Sequence, residues 1–326
     1  MPRGIFPPFW HPAFSEGFIL DWDGVLAETK LNFAPLRAKY FGGKFVPLYE
    51  AAESLPPPMR EALKQEIYDL EMEGADKAEP VPGAHELLEW ITARRMPWCV
   101  VSRNCLDSIR LAAERCSILL PQVVRSRDVP PIKPEPEALW LAAGSLGVPP
   151  TECVMVGDFV FDLVGARRAG MRAVLVQRPQ AEWKHWADAS FDRLWDLLRS
   201  LEAPEPLVPW EYAPLAEEIG RTSLESVSRI LAVLPAAHPR LLPMGLSLAT
   251  RGVLHFEVDS AAVLSPEQWR NLPGLAPSWL DQPLHRVLAA LLQARFPMAA
   301  VNCGMEGLLR MAPGQELDGM LGGTAQ

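Results

Sequence analysis

The sequence predicts an α/β domain built on a doubly wound parallel sheet, followed by a smaller α+β domain. Three observations lead there. Short apolar runs recur through roughly the first 200 residues, helical patterns fill the gaps between them, and a Pro-rich stretch then ends the alternation. Apolar runs of this length fit strands buried on both faces. Strand and helix in alternation fit a parallel sheet covered on both sides.

Taken in order, the first strand is Gly17-Phe-Ile-Leu20, and it stops at Asp21. Residues 31 to about 80 interrupt the alternation and read as helices, with Pro56-Pro57-Pro58 as a break and Met59–Met72 as the clearest helix. A helical insertion there is placed to cover the strand ends as a lid. A helix over Ala84–Arg95 leads into the run Pro97–Val101, which ends at Ser102. Helices over Leu106–Arg115 and Glu135–Leu146 precede the run Cys153–Val156, which passes through Gly157 to Asp158. A fourth run is Ala173–Val176. Ligands of such sheets bind at the carboxyl ends of the strands, where these polar residues stand. Residues 1–202 therefore form the first domain, residues 203–214 a Pro-rich linker and residues 215–326 a second domain. In the second, Leu215–Leu234 reads as a helix, Gly252–Ser260 as a strand and Pro283–Phe296 as a helix.

With 49% hydrophobic and 22% charged residues, the composition is that of a globular protein. A formal charge of −9 argues against a non-specific nucleic-acid binder, which needs cations to displace counterions. No apolar run reaches the ~20 residues that span a bilayer. The five cysteines form no C-x-x-C pair, and Cys99 and Cys153 lie within apolar runs. A reducing cytoplasm is the setting expected from this.

The chemistry concentrates in four places. Asp21 and Asp23 flank Trp22 on a loop directly after a buried strand, and Gly24 lets the backbone turn tightly. Two such carboxylates are costly unless a cation neutralises them, and Mg²⁺ suits hard oxygen ligands. Asp158 and Asp162, one helical turn apart, bring a second pair to the same rim. Between the pairs stand Ser102, a donor for a phosphoryl oxygen, and Lys133 in Ile132-Lys-Pro-Glu-Pro136, able to neutralise an aspartate and a phosphate. Arg103 follows Ser102 and joins the candidates for binding phosphate.

In this order, Asp-x-Asp-Gly-Val, a strand-terminal Ser, Lys-Pro-x-Pro and Gly-Asp-x-x-x-Asp resemble the haloacid dehalogenase superfamily from about Phe18 to Leu201. The resemblance implies a Rossmann-like fold with a small helical cap at residues 31–80. It implies that Asp21 attacks phosphorus to form an aspartyl-phosphate, and that Asp23 protonates the leaving group and then activates water. It implies Mg²⁺ held by Asp21, the backbone carbonyl of Asp23, Asp158 and Asp162, with Ser102 and Lys133 on the phosphoryl group. An acid at Asp23 favours phosphate esters over the dehalogenase and phosphonate branches. Val25 departs from the commoner Thr.

The expected activity is a phosphatase acting on a small phosphorylated metabolite, similar to phosphoglycolate phosphatases. A phosphomutase of the same superfamily and a non-enzymatic phosphate-sensing regulator are the alternatives. In the regulator, residues 210–326 serve a protein partner or self-association. Plainer readings stand beside several residues. Asp162 also suits the first turn of a helix. Arg37, Lys39 and Lys44 either meet an anionic substrate tail or form a solvated face. His255, Glu257 and Asp259 alternate along a strand, as metal ligands or, more simply, as the solvent side of an edge.

Overall fold

In the computed structural model of the protein, which describes residues 7–304, the chain forms two compact units, Met1–Ala213 and Pro214–Gln326. The strands of the first unit are β1 (Gly17–Leu20), β2 (Ala27–Glu28), β3 (Glu79–Pro80), β4 (Trp98–Val101), β5 (Val124–Arg125), β6 (Cys153–Gly157), β7 (Arg172–Val176) and β8 (Ala189–Phe191). Its helices are α1 (Ala34–Phe41), α2 (Leu48–Ala51), α3 (Pro57–Asp76), α4 (Ala84–Ala93), α5 (Leu106–Arg115), α6 (Pro136–Leu146), α7 (Val160–Ala169) and α8 (Leu194–Glu202).

Six strands make one parallel sheet in the order β5-β4-β1-β6-β7-β8. The doubly wound α/β expectation holds. Strands β1, β6 and β7 are buried at every residue, which is why they read as unbroken apolar runs. On one face Ile19, Met155, Leu139 and Leu163 join a single apolar cluster between sheet and helices. Full burial of each such side chain contributes about 1.5–3 kcal/mol. Cys99 and Cys153 are buried here too, with their thiols pushed up to about 12 by that burial. Strands β5 and β8 have only two and three residues, none of them fully buried, too short for a periodicity to show.

The insertion expected at residues 31–80 folds as helices α1 to α3 around its own apolar core of Leu36, Leu48, Ala52, Leu63 and Ile67. Its two connections to the sheet domain are tied together, because β2 and β3 pair antiparallel through Ala27–Pro80 and Glu28–Glu79.

The Pro-rich stretch packs on the first unit. Leu207 and Trp10 exchange backbone hydrogen bonds of 2.9 and 3.0 Å. Trp210 stacks on Trp186, and Glu211 pairs with Arg172 at 2.7 Å.

The second unit contains α9 (Ala213–Ile219), α10 (Arg221–Ser228), β9 (Leu231–Leu234), α11 (Leu241–Thr250), β10 (His255–Val258), α12 (Pro266–Arg270), α13 (Leu284–Gln293) and β11 (Ala300–Cys303). The helix expected over Leu215–Leu234 is corrected by the structure. Gly220, at φ +81°, divides it into α9 and α10, and the apolar run Leu231–Leu234 is a strand. Short apolar runs are ambiguous between the two states. Strand β10 is the middle of a parallel sheet ordered β11-β10-β9, so it is not an edge. Its alternation is as read: Phe256 and Val258 are buried while His255 is exposed. Asp259 lies just beyond it and accepts a hydrogen bond from the Ala236 amide at 2.8 Å. Residues 305–326, the end of the segment expected to meet a partner, lie outside the described residues. Among the described residues, no helix is long and apolar enough to cross a membrane.

A buried histidine supplies a pH-dependent element of stability. His11 accepts the Ala13 amide on Nδ1 at 3.1 Å and places Nε2 2.9 Å from Ser200 Oγ on α8. Burial lowers its pKa from 6.5 to about 4. The unfolded chain therefore binds the extra proton between these values, so the stability is present above pH 6.5 and is lost as pH falls toward 4. In urea unfolding, His11→Gln should flatten that acid limb by about 2–3 kcal/mol. An identical pH dependence in the variant would reject the assignment.

Candidate active site

Three neighbouring strand ends carry the site. Asp21 follows β1, Ser102 follows β4 and Asp158 follows β6, and β1 lies between the other two. The loop between β5 and α6 brings Lys133, and the first turn of α7 brings Asp162. All five side chains are buried.

Lys133, 1% exposed, is the hub. Its Nζ donates to Asp21 Oδ1 at 2.8 Å and lies 2.6 Å from Asp162 Oδ1. Burial alone would lower its pKa, but the carboxylates of Asp162 and Asp21 outweigh burial and raise it, so it stays charged. Asp21 Oδ1 also accepts the Trp22 amide at 2.8 Å. Both donors thus fall on one oxygen, and Oδ2 has no protein donor among the described residues. Asp162 Oδ2 accepts the Phe159 amide at 3.0 Å. It therefore holds the first turn of α7 and partners Lys133 at once.

Asp21, Asp158 and Asp162 each offer an oxygen within 4.8 Å of the others. Burial, then Asp21, then Asp162, raise Asp158 to about 8 against the opposing pull of Arg178. Asp162 is also raised, by burial and by Asp21, in spite of Lys133. Three buried carboxylates face too little positive charge, and a divalent cation among them would relieve the deficit. The backbone is shaped for their approach. A Cβ on Gly24, which sits at φ +73°, would overlap the Asp158 carboxylate. A Cβ on Gly157 would overlap Asp162. Any side chain at either place would push apart the carboxylates that make the site.

Asp23 is half-buried beside them. Its Oδ1 accepts the Thr29 amide at 2.9 Å and the Thr29 hydroxyl. Burial raises its pKa to about 6, which the Thr29 bonds oppose and Asp21 and Glu28 reinforce. Ser102 Oγ accepts the Asn104 amide at 3.2 Å. Arg103 reaches the site but is engaged elsewhere. It donates to Glu50 of α2 at 2.8 Å and to the Lys133 carbonyl, and it lies over the Phe161 ring. These contacts tie α2 of the cap to the Lys133 loop, and Arg103 also lines the cavity over the carboxylates.

Three contacts have no counterpart in the sequence reading. Thr29 orients Asp23. Arg178, after β7, lies 2.6 Å from Asp158 Oδ2. Glu71 of α3 forms a buried ion pair with Arg127 and accepts the Cys105 amide at 2.9 Å. A hydroxyl close to the Asp pair was the one available signal. The arginines carry no motif.

Over the carboxylates lies a cavity of about 350 Å³. It is lined by Asp21, Asp23, Ser102, Arg103, Asp158 and Asp162 from the sheet domain, and by Phe33, Arg37, Phe45 and Tyr49 from the cap. Of the cap cations, Lys39 is paired with Glu66 at 2.6 Å and Lys44 is exposed, so Arg37 alone of the three faces the cavity.

The model of the haloacid dehalogenase-like hydrolases matches residues 44–176. N-acetylmuramic acid 6-phosphate phosphatase of Pseudomonas aeruginosa is 32% identical over 166 residues, covering 46% of this chain and 70% of that protein. Hexitol phosphatase A of Escherichia coli is 32% identical over 100 residues, 30% of this chain and 46% of that protein. A hydrolase from Pseudomonas syringae shares the fold, with a TM-score of 0.51 at 20% identity, over 58% of this chain and 99% of that one. With the strand-end carboxylates, the buried lysine and the inserted cap in place, the chain belongs to the haloacid dehalogenase-like hydrolases.

Proposed function

We propose that this protein hydrolyses the phosphate monoester of a small metabolite through an aspartyl-phosphate on Asp21, with Mg²⁺ as the cation. The family and the phosphatases similar to it make the chain a phosphoric monoester hydrolase. Those relatives are named for phosphorylated sugars and sugar alcohols, which suggests the size of the substrate. The observation that carries the proposal is the hub of Lys133 bridging Asp21 and Asp162, with Asp23 lining the same cavity.

Asp21 is held on one oxygen, which fixes its rotation and keeps the carboxylate ready to attack phosphorus. As the new O–P bond forms and the ester P–O bond breaks, Asp23 as the acid gives its proton to the departing oxygen. Asp23 as carboxylate then takes a proton from water, which attacks the phosphoaspartate, frees phosphate and restores Asp21. Thr29 keeps Asp23 aimed for both steps. Lys133 and Ser102 meet the phosphoryl oxygens as charge moves onto them. Mg²⁺, held by Asp21, Asp158, Asp162 and the Asp23 carbonyl, would supply charge neutralisation at the phosphoryl group.

A panel of phosphorylated metabolites, assayed for phosphate release with Mg²⁺, tests the reading. EDTA should abolish turnover, and Mg²⁺ should restore it while Ca²⁺, with its longer and looser contacts, should not. Undiminished activity in EDTA would remove the metal from the proposal, and absence of release from every ester would remove the function.

A further inference from the structure

Four guanidinium groups line the cavity, those of Arg37, Arg103, Arg127 and Arg178. Three are answered by carboxylates: Arg103 by Glu50 at 2.8 Å, Arg178 by Asp158 at 2.6 Å, and Arg127 by Glu71. Arg37 is not. Its Nε donates to the Val46 carbonyl at 3.3 Å, and its guanidinium lies 4.6 Å over the Phe45 ring. Among the described residues no carboxylate pairs with it, and its two terminal nitrogens have no protein partner. Partial burial lowers its pKa, the mark of a cation losing water without gaining an anion.

The ring beneath and the carbonyl at Nε hold the group while leaving its outer edge, the two terminal nitrogens, without a protein partner in a residue that lines the cavity. That edge presents the fork that grips a carboxylate or phosphate with two parallel bonds. The transferred phosphoryl group does not fill this need, since its proposed partners Asp21, Ser102 and Lys133 belong to the sheet domain. Arg37 belongs to α1 of the cap. The cavity wall also carries four aromatic rings, those of Phe33, Phe45, Tyr49 and Phe161. Such a wall suits the apolar face of a ring or carbon chain.

We infer that the natural substrate is a phosphomonoester whose leaving group carries a second anionic group, bound by Arg37, on a carbon body long enough to reach the cap. This rests on the phosphatase reading and deepens it by naming what the cap selects.

The test uses the full chain and matched probes. One arm compares ω-carboxyalkyl phosphates of two to six carbons and 4-carboxyphenyl phosphate with their amides. The other compares alkanediol bisphosphates with the corresponding monophosphates. In the wild type, kcat/KM for the best anionic probe should exceed that of its neutral counterpart by about 10- to 100-fold, the size of a charge-assisted bidentate contact. The arm that shows it identifies the tail as carboxylate or phosphate. Arg37→Met should bring the ratio close to one, and Arg37→Lys should keep part of it. Because the ratio is taken within each variant, a general loss of activity does not imitate the effect. Turnover of p-nitrophenyl phosphate without preference in either arm, or a preference unchanged in Arg37→Met, overturns this inference alone. A wild type that hydrolyses no phosphomonoester overturns the phosphatase reading, and this inference with it.

Discussion

Asp21→Asn is expected to lower kcat for p-nitrophenyl phosphate by about 10³-fold or more while the protein stays folded, because the amide cannot form the covalent intermediate. The side chain keeps its shape, and its oxygen can still accept the Trp22 amide and the Lys133 ammonium now on Oδ1. The lost charge should not weaken the fold. Lys133 keeps Asp162 as its counter-charge, and because Asp21 helps to raise the pKa of both Asp158 and Asp162, neutralising it relieves the crowding around them. Urea unfolding should therefore place the variant at or above the wild type in stability. Stopping the wild-type reaction in acid and digesting should give one phosphorylated peptide, modified at Asp21. Phosphate on another residue, or near-normal turnover in the variant, would overturn the nucleophile assignment.

Much of this site is legible in the sequence because its parts sit at strand ends. A buried parallel strand announces itself as an apolar run, and the first polar residue after it stands at the rim where ligands bind. Asp21, Ser102 and Asp158 stand at such ends, and the motifs around them set them apart from Gln177, which follows the run Ala173–Val176 in the same way. Lys133 needs more, since its loop follows the two-residue strand β5, which no pattern reveals. Its neighbouring prolines are the only local sign. The cation partners of the site lie beyond such reading. Arg178 meets Asp158 across 20 positions and Arg127 meets Glu71 across 56, each pair made by tertiary placement. The cap cations show the same limit. Arg37 and Lys39 are two residues apart on one helix, yet one lines the cavity and the other is paired with Glu66. In the second unit the period misleads. Leu231–Leu234 is continuous with a helical pattern, and four apolar residues contain too little repeat to tell a strand from a helix.

The Pro-rich stretch decides where the catalytic unit can be cut. The sequence places a linker at residues 203–214, which suggests a fragment ending near residue 205. Packing places the cut later. Arg172, on β7, is buried and held by Glu211 through two bonds of 2.7 and 2.9 Å and by Asp188 at 3.2 Å. Asp188 is itself oriented by the Trp210 amide at 2.9 Å and by Arg167 at 2.7 Å. Ending the chain at residue 205 removes Leu207, Trp210 and Glu211 together. It leaves a buried guanidinium short of its bidentate partner, a loss of about 3–5 kcal/mol, out of a typical total of about 5–15 kcal/mol. A fragment of residues 1–213 should fold, unfold cooperatively in urea and hydrolyse p-nitrophenyl phosphate. One of residues 1–205 should be unfolded or aggregated at the same temperature. Glu211→Gln in the full chain tests the cause separately, since it keeps the shape and removes the charge, and it should lower the stability of the first unit by a similar amount. Equal stability of the two fragments would show that the stretch is a passive tether. A folded 1–213 fragment that fails to turn over an ester hydrolysed by the full chain would overturn this division of labour.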